Sequence, residues 1–413
     1  MATMKARCGV KVLGLLTALL FLPALAGSGL AHHRAHPVAN LRVAARAINA
    51  LGWDMLRAAF PTNSNAVLSP YSIQLASVML YAGSEGKTRK EMAMTLHYGG
   101  GDSMVHGSFA DLKDSLEEIS EHRLVTWSVS NRLYVQREYS LRHAFLELLR
   151  NFYRAPVVAV DFAGDSDQLA QEINGWIGEE TQHRITNLIA PGTFDHESRV
   201  AIVNAVYLKA SWQIPFPESE TLPRPFLVRG EEEAGVPTMT MVKRFGYAKR
   251  QRFTIVGIPY SCCALQFLIV LPQKGVSLAE LEATLSVADF AQLGQSLKAA
   301  PLNLYLPKFR LEPPALSLGE TLSRLGMKSA FGAAADFRRM TASGNPYVSA
   351  FLHKALLAID ERGTEAAAAA EYLIPLSGFP KIDEVHVDRP FLFAIQHIPS
   401  GAFLFLGRVI DPR

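Results

Sequence analysis

The sequence predicts an α+β protein with a large hydrophobic core. Three observations predict this class: helical periodicity through the first hundred residues, strand-like and helical segments that then alternate without a repeat, and hydrophobic strands at the C-terminal end. Of the 413 residues, 49% are hydrophobic and 19% are charged, which is a globular composition. Length alone would allow two or three domains.

Four helices are predicted in the N-terminal third of the chain. Ser69 stands before Pro70 as an N-cap, and Thr88 to Glu91 has the spacing of a capping box that would open the third helix. The fourth helix is strongly acidic and holds a single lysine. The predicted helices span residues 40–60, 69–83, 88–98 and 104–121.

Strands and helices alternate through the rest of the chain. Arg199 to Ala210 is a continuous apolar run, as expected of a strand that is buried on both faces. The remaining predictions are strands at 124–135, 156–162, 302–311 and 347–359, short β-runs within 225–272, helices at 140–153, 166–182 and 277–300, and two or three strands within 385–410.

The charge pattern excludes some classes of partner. A formal net charge of +3 is too small to indicate a nucleic acid or a membrane surface. Five basic residues between Lys243 and Arg252 flank Phe245 and Tyr247. A polyanion or a protease exosite is one interpretation of this run, and a solvated hairpin face is the one we favour.

The N-terminus has the pattern of a secretory signal peptide. Three basic residues precede an apolar run from Val12 to Ala26, so we expect residues 1–26 to be removed, with cleavage after Ala31 as the alternative. Residues 27–39 would be a flexible tail, and its three histidines are interpreted as part of that tail rather than as a metal site. The mature protein is therefore expected outside the cell, or in the periplasm of a bacterium.

Two cysteines remain after the predicted cleavage. Cys262 and Cys263 are adjacent, and neighbouring cysteines bridge each other only with strain. We expect no structural disulfide.

No motif indicates an enzyme. The sequence has no Gly-X-Ser-X-Gly, no His-Glu-X-X-His, no phosphate-binding glycine-rich loop and no Cys-X-X-Cys. We therefore expect no catalytic residues, no metal site and no cofactor.

The segment from Glu361 to Glu371 combines strand and helix signals. Five consecutive alanines favour a helix, whereas Gly363 and the β-branched Thr364 do not favour a firm helical start. With a period of two, small side chains fill one face of a strand. Such a strand could slide between two existing strands without large groups having to pass.

Several motifs in this chain resemble those of the serpin family. Glu361 to Ala370, Glu-Arg-Gly-Thr-Glu followed by five alanines, resembles the hinge of inhibitory serpins, and Val385 to Ile395 resembles the family's C-terminal signature. Further similar segments are 65–73, 203–209 and 306–309. The resemblance covers the chain from about Asn40 onward, and it implies a single domain over 40–413.

The resemblance implies a fold and a mechanism. The fold would have three mainly antiparallel β-sheets, about nine helices and an exposed reactive-centre loop. A serine protease would cleave this loop, and the hinge would then insert into the main sheet between the strand at 199–210 and the strand at 347–359. The hinge residues would be Glu361, Gly363, Thr364, Glu365, Ala366, Ala367, Ala368, Ala369 and Ala370. The fifteen residues from Gly363 to Ser377 would span about 50 Å as a strand, enough to carry an attached protease far from its starting position.

Two groups of residues would control the opening of the sheet, by resemblance to family positions. Ser69, Ser72, Asn204 and His353 would form a polar cluster beneath the opening. Trp212, Lys308 and Glu361 would form the gate, or breach, at the top of the sheet. Considered alone, each member of the polar cluster would be interpreted as an ordinary core polar group.

The scissile bond has two candidate positions. The usual family distance from the hinge places it at Ser377-Gly378, whereas similarity around Pro375 places it at Leu376-Ser377. Serine suits an elastase-like or subtilisin-like protease, and leucine suits a chymotrypsin-like one.

The alternative is a non-inhibitory binding or chaperone protein with the serpin fold. Such members usually have bulky or charged residues in the hinge, and this hinge has small ones. We therefore predict a secreted inhibitor, monomeric, with a serine protease as its partner. Heparin is not expected to bind through the acidic helix at 104–121.

Overall fold

The structure is a computed structural model that describes residues 37–121, 125–364 and 382–413. The predicted signal peptide, the hinge beyond Thr364 and both candidate scissile bonds lie outside the described residues. Within those ranges, no helix is both long enough and apolar enough to cross a membrane.

Nine α-helices occur in the described ranges. The first, α1, begins at Val38. The second, α2, is buried along its whole length and has the predicted Ser69 cap, whose hydroxyl accepts the Ser72 N–H. The helices are α1 Val38–Ala59, α2 Pro70–Gly83, α3 Gly86–Thr95, α4 Asp102–Glu121, α5 His143–Leu148, α6 Ser166–Glu180, α7 Leu278–Thr284, α8 Val287–Gln295 and α9 Leu318–Leu325.

The strands form two hydrogen-bonded sheets within the described residues. They are β1 Ala66–Leu68, β2 Val125–Gln136, β3 Val157–Val160, β4 Val200–Ser211, β5 Leu222–Val228, β6 Glu232–Lys249, β7 Phe253–Pro259, β8 Leu265–Pro272, β9 Lys298–Pro307, β10 Phe309–Leu311, β11 Leu316–Ser317, β12 Val348–Ala355, β13 Leu357–Asp360, β14 Gly363–Thr364, β15 Asp383–His386, β16 Phe391–His397 and β17 Phe403–Val409.

The first sheet has the order β1-β17-β16-β8-β7-β6-β9-β15, with β5 paired to β6. Strands β8, β16 and β17 are buried at every residue, which explains their unbroken hydrophobic sequences. Three sheets were expected. The eighteen-residue strand β6 pairs with β5, β7 and β9 in turn, so two of the expected sheets form one continuous ladder.

The second sheet, called the main sheet below, has the order β10-β13-β14-β4-β12-β11, with β2 on β4 and β3 on β2. Most pairs in the two sheets are antiparallel, whereas β12 runs parallel to β4. Side chains of α6, including Ile173 and Ile177, pack in one hydrophobic cluster with Ala201 and Val203 of β4. Helix α2 contacts β4 through Ser72. The main sheet therefore lies between helices, in an α+β arrangement as predicted.

The capping box predicted at Thr88 is wrong. Helix α3 begins at Gly86, two residues earlier, and its N-cap Glu85 makes no side-chain cap. The Thr88 hydroxyl accepts the Asp336 N–H at 2.9 Å instead, and Glu91 accepts the Ser329 N–H at 2.7 Å. Both side chains are used by tertiary contacts.

The single helix predicted over 277–300 is also wrong. Leu285 has extended backbone angles and ends α7, and Ser286 caps a new helix, α8, by accepting the Asp289 N–H. The following residues from Lys298 belong to β9 rather than to a helix. Serine at an N-cap position was the local signal for this break.

Candidate functional site

The hinge begins inside the main sheet. Gly363 and Thr364 form β14, which pairs with β13 on one side and with the end of β4 on the other. Gly363 has φ +143°, and a Cβ atom at this position would lie 2.1 Å from the carbonyl oxygen of Ala210. Only glycine fits this approach, because any larger residue would collide with the backbone of β4.

Thr364 is buried completely, although the resemblance implied that the hinge enters the main sheet only after cleavage. Its hydroxyl shares a hydrogen bond of 2.6 Å with the hydroxyl of Tyr260. The Tyr260 ring stacks on Trp212 with centroids 4.6 Å apart, and burial raises the pKa of the Tyr260 phenol. Tyr260 was missed at the sequence level, because no local pattern connects it to a hinge 104 residues away.

The three residues assigned to the breach, Trp212, Lys308 and Glu361, lie near one another at the end of β13. Lys308 Nζ lies 2.7 Å from Glu361 Oε2, and the Thr221 hydroxyl donates to Glu361 Oε1 at 2.7 Å. Burial raises the pKa of the Glu361 carboxyl, but the hydrogen bonds from Lys308 and Thr221 outweigh burial, so the pKa lies below its usual 4.5. Glu361 is therefore held as a carboxylate at the top of the main sheet.

Trp212 connects the breach to the first residues of the hinge. Its indole N–H donates to the carbonyl of Asp360 at 2.9 Å, and its backbone N–H donates to the carbonyl of Arg362 at 2.9 Å. The Asp360 carboxylate accepts the Gly363 N–H at 3.1 Å, and burial raises its pKa. The turn before β14 is thus fixed to the end of β4.

The four residues assigned to the polar cluster are in contact with one another. His353 on β12 lies opposite Asn204 on β4, and their side chains are hydrogen-bonded between His353 Nδ1 and Asn204 Oδ1. The Ser69 N–H donates to His353 Nε2 at 3.2 Å, so Nε2 is the acceptor and Nδ1 carries the proton. A neutral imidazole therefore joins both strands to the start of α2.

Asn204 extends this cluster to a third strand. Its amide donates to the Ser72 carbonyl at 3.1 Å, to the Ser72 hydroxyl and to Asn131 Oδ1. Asn131 lies opposite Asn204 on β2. Sequence reasoning missed Asn131, because its role depends on the register of two strands that are 73 residues apart.

Burial keeps His353 neutral. The side chain is 1% exposed, and desolvation lowers its pKa from 6.5 to about 3. Protonation would place a charge between two strands with both imidazole nitrogens already used in hydrogen bonds. The cluster is therefore stable only with an uncharged imidazole.

Below β14, the main sheet is closed. Strands β12 and β4 are in parallel register from Val348 opposite Val200 to Ala355 opposite Val206. Above this level, β13 and β4 are held apart by β14. The two residues of β14 thus fill the gap between β13 and β4, and direct pairing of β12 with β4 closes the sheet beneath them.

No group of three or more His, Cys, Asp or Glu residues within the described ranges could hold a metal ion. Cys262 and Cys263 are free thiols in the turn between β7 and β8. Burial raises the pKa of Cys262.

Comparisons with known sequences identify relatives over most of the chain. The profile of the family described as Serpin (serine protease inhibitor) matches residues 46–412. Iris of Ixodes ricinus is 34% identical over 353 residues, which cover 84% of this chain and 92% of Iris. The leukocyte elastase inhibitor of Sus scrofa is 31% identical over 371 residues, which cover 87% of this chain and 97% of that protein.

Comparisons with solved structures give the same result. Human thyroxine-binding globulin in complex with thyroxine superposes with a TM-score of 0.79 at 26% identity, over 91% of this chain and 99% of that one. Serpin48 of the insect Tenebrio molitor superposes with a TM-score of 0.77 at 28% identity, over 92% of this chain and 100% of that one. From the family profile, the relatives and the shared fold, we conclude that the chain belongs to the serpin family.

Proposed function

We propose that this protein is a secreted serine protease inhibitor that acts as a suicide substrate. One observation carries the proposal: β14, the first part of the hinge, already lies between β13 and β4. A segment that starts between two strands can extend its pairing downward once the lower pair of strands separates. The small residues from Ala366 to Ala370 would follow Thr364 along this path.

The covalent step follows the chemistry of serine proteases. The protease's serine hydroxyl would attack the carbonyl carbon of the scissile bond and form an acyl ester, and the new amino group on the C-terminal fragment would leave with the proton. Insertion of the hinge would then move the ester-linked protease along the main sheet. Distortion of the protease's site after this movement would prevent hydrolysis of the ester.

Insertion requires two local changes. The His353–Asn204 hydrogen bond must break as β12 and β4 separate, and the β12–β4 ladder must re-form on the two sides of the inserted hinge. In the inserted state, the backbone N–H and C=O groups of β12 and β4 would have hydrogen-bond partners again, since the inserted strand supplies them. The inserted state therefore gains a strand without leaving buried polar backbone groups unpaired.

An elastase-like target is the one we favour. The relative from Sus scrofa is a leukocyte elastase inhibitor, and Ser377 is a side chain small enough for an elastase-like pocket. If Leu376 occupies the pocket instead, a chymotrypsin-like protease should react fastest, since burial of a leucine side chain contributes about 1.5–3 kcal/mol.

A panel of elastase, subtilisin, chymotrypsin and trypsin, followed by denaturing gels, tests the proposal. We expect a denaturant-resistant complex with at least one of the first three enzymes and none with trypsin. The variants Leu376→Arg and Ser377→Arg locate the bond, because only arginine at the true site gives trypsin its preferred side chain. The mass of the released C-terminal peptide identifies the bond directly. A peptide that begins at Gly378 supports cleavage at Ser377-Gly378, and one that begins at Ser377 supports cleavage at Leu376-Ser377.

A different outcome would contradict inhibition. If every protease cleaves the loop and none forms a complex, the chain is a substrate only, and the binding or chaperone alternative gains support. One structural relative, thyroxine-binding globulin, was solved with thyroxine bound, so the fold is compatible with such a role.

Export is part of the proposal. N-terminal sequencing of protein recovered from the producing cell's medium or periplasm should give Gly27, or His32 if cleavage follows Ala31. Recovery of a chain that begins at residue 1 or 2 would contradict export through this segment.

A further inference from the structure

A cavity of about 610 Å³ lies on the side of the molecule formed by α7, α8 and the β6–β7 turn. Its lining comes from three short segments: the turn at 250–253, the end of α7 and one face of α8. None of these segments belongs to the breach or to the polar cluster under the main sheet. The volume is in the range of cavities that hold small organic ligands.

The floor of this cavity is apolar. Leu281 is buried, whereas Phe253, Leu285 and Leu293 are only partly buried and pack against the main core. Three large apolar side chains are thus left partly open to the same space. An apolar ligand in the cavity would cover these side chains, and burial of their apolar surface away from water is favourable.

The rim carries two guanidinium groups. Arg252 Nη2 donates to Glu280 Oε1 at 2.6 Å, but its Nε is buried without a hydrogen-bond partner in the described part of the chain. Arg250 donates to the carbonyl of Lys249 at 3.2 Å and is otherwise exposed. Guanidinium N–H groups at a cavity rim can donate hydrogen bonds to the two oxygens of a carboxylate or a similar acidic group.

The surrounding charge favours an anion. Asp289 is the one acidic residue among the described lining residues, against Arg250 and Arg252. Over residues 243–300 the sequence has seven lysines and arginines against three acidic residues. Of those three, Glu282 is buried in an ion pair with Arg408, and Glu280, which does not line the cavity, pairs with Arg252.

We propose that this cavity binds a small amphipathic anion. The apolar body lies on Phe253, Leu285 and Leu293, and the acidic group lies at the rim beside the guanidinium groups of Arg250 and Arg252. The site is separate from the inhibitory machinery, so ligand binding and protease inhibition are independent properties of the chain.

Calorimetric titration of the intact protein with dodecanoate tests the site, and dodecyltrimethylammonium is the charge-reversed control. We expect dodecanoate to bind at one site and the cation to bind at least tenfold more weakly. The Arg252→Gln variant should weaken dodecanoate about tenfold, since it removes a hydrogen bond to a charged group. Absence of dodecanoate binding, or equal binding of the cation, would overturn the proposal.

Two tryptophan variants on α8 locate the ligand. Leu293→Trp should fill the cavity and abolish binding. Ala291→Trp is the matched control, because Ala291 lines a different cavity between α1 and α8. Loss of binding in Ala291→Trp alone would assign the ligand to that second cavity and refute ours. If Leu293→Trp does not fold, the Arg250→Gln and Arg252→Gln double variant provides the same test at the rim of the cavity.

Discussion

Thr364 lies at the point where the hinge enters the main sheet. Before cleavage it is already buried between β13 and β4, with its hydroxyl bonded to Tyr260. In the proposed mechanism the residues after it follow into the same gap. The side chain at 364 must therefore be small, uncharged and able to form a hydrogen bond.

The variant Thr364→Arg should lose inhibition and keep cleavage. Arginine would place an unpaired charge in the sheet interior, which costs several kcal/mol and would expel β14. Thr364→Ser is the control, because it keeps the hydroxyl that bonds to Tyr260. Gel analysis with the reactive protease should show cleaved inhibitor without complex for the arginine variant and normal complex for the serine variant. A complex with Thr364→Arg would contradict the assigned hinge.

Glu361→Gln tests the breach through its pH dependence. The pKa of Glu361 is lower in the folded protein than in the unfolded chain, so its stabilisation is present above about pH 4.5 and lost as pH falls through the folded pKa. We expect the variant to be less stable by about 1 kcal/mol at pH 7, because Lys308 is partly exposed to solvent, and the difference from the parent to be smaller at pH 3. Thermal unfolding at both pH values measures this difference.

Glu218→Gln provides the comparison for Glu361→Gln. Glu218 pairs with Arg362 at 2.8 Å, but both side chains are exposed. Exposed pairs contribute little to stability, so this variant should melt with the parent at both pH values. An equal loss in the two variants would show that burial of Glu361 has no special importance.

At the scale of elements, the β12–β4 pair is the part of the main sheet that would have to separate in the proposed mechanism. Its ladder is supplemented by the side-chain bond between His353 and Asn204, and Asn204 bonds onward to Ser72 and Asn131. Strand separation thus disturbs one cluster that touches β2, β4, β12 and α2. The cluster would therefore oppose separation of β12 from β4 at the position of the His353–Asn204 pair.

His353→Gln should reduce both the stability and its pH dependence. The pKa of His353 is about 3 in the folded protein and near 6.5 when unfolded, so the unfolded chain binds a proton first and the native state loses stability as pH falls from about 6.5 toward 3. Glutamine does not titrate. At pH 7 we expect a loss of about 1–3 kcal/mol from the disturbed hydrogen bonds, and a gap to the parent that narrows toward pH 4.

Two other buried histidines contribute to the acid side of this profile. Burial lowers the pKa of His106 and of His397 to about 4 each. The His353→Gln variant should therefore keep part of the parent's slope between pH 6.5 and pH 4. A slope identical to that of the parent would show that His353 does not titrate with unfolding.

At the scale of the whole molecule, the proposed mechanism requires that the intact protein is metastable. Two hinge residues occupy the gap in the main sheet, and β12 and β4 close it below them. A longer inserted strand would bury more hydrogen-bonded backbone at the same place. The cleaved chain would be able to reach that state, because its loop is no longer tied at both ends.

Cleavage within the loop should raise the melting temperature by about 20 °C or more. Insertion of a dozen or so residues, with a net gain near 1 kcal/mol for each hydrogen-bonded residue, gives roughly 10 kcal/mol, and each kcal/mol shifts a large domain by about 2 °C. Scanning calorimetry of intact and cleaved protein measures the shift. For Thr364→Arg, the cleaved and intact proteins should have the same melting temperature. Equal melting temperatures for the cleaved and intact parent protein would refute insertion.

The sequence by itself determined the α+β class, the order of most elements and the composition of the hinge. Continuous apolar runs such as 199–210, and serine before proline at the start of α2, are local signals that the fold preserves. The residues assigned to the breach and to the polar cluster also came from the sequence, by resemblance to a family. Local periodicity and capping were sufficient for most of the elements, because these signals act within a few residues.

Only the tertiary structure decided which further side chains join these groups. Asn131 and Asn204 are 73 residues apart, and Tyr260 meets Thr364 across 104 residues. The start of α3 and the cavity beside α8 likewise depend on neighbours that are distant in sequence. Strand register and helix packing set these contacts, and a shift of one residue would turn each side chain to the opposite face of its sheet.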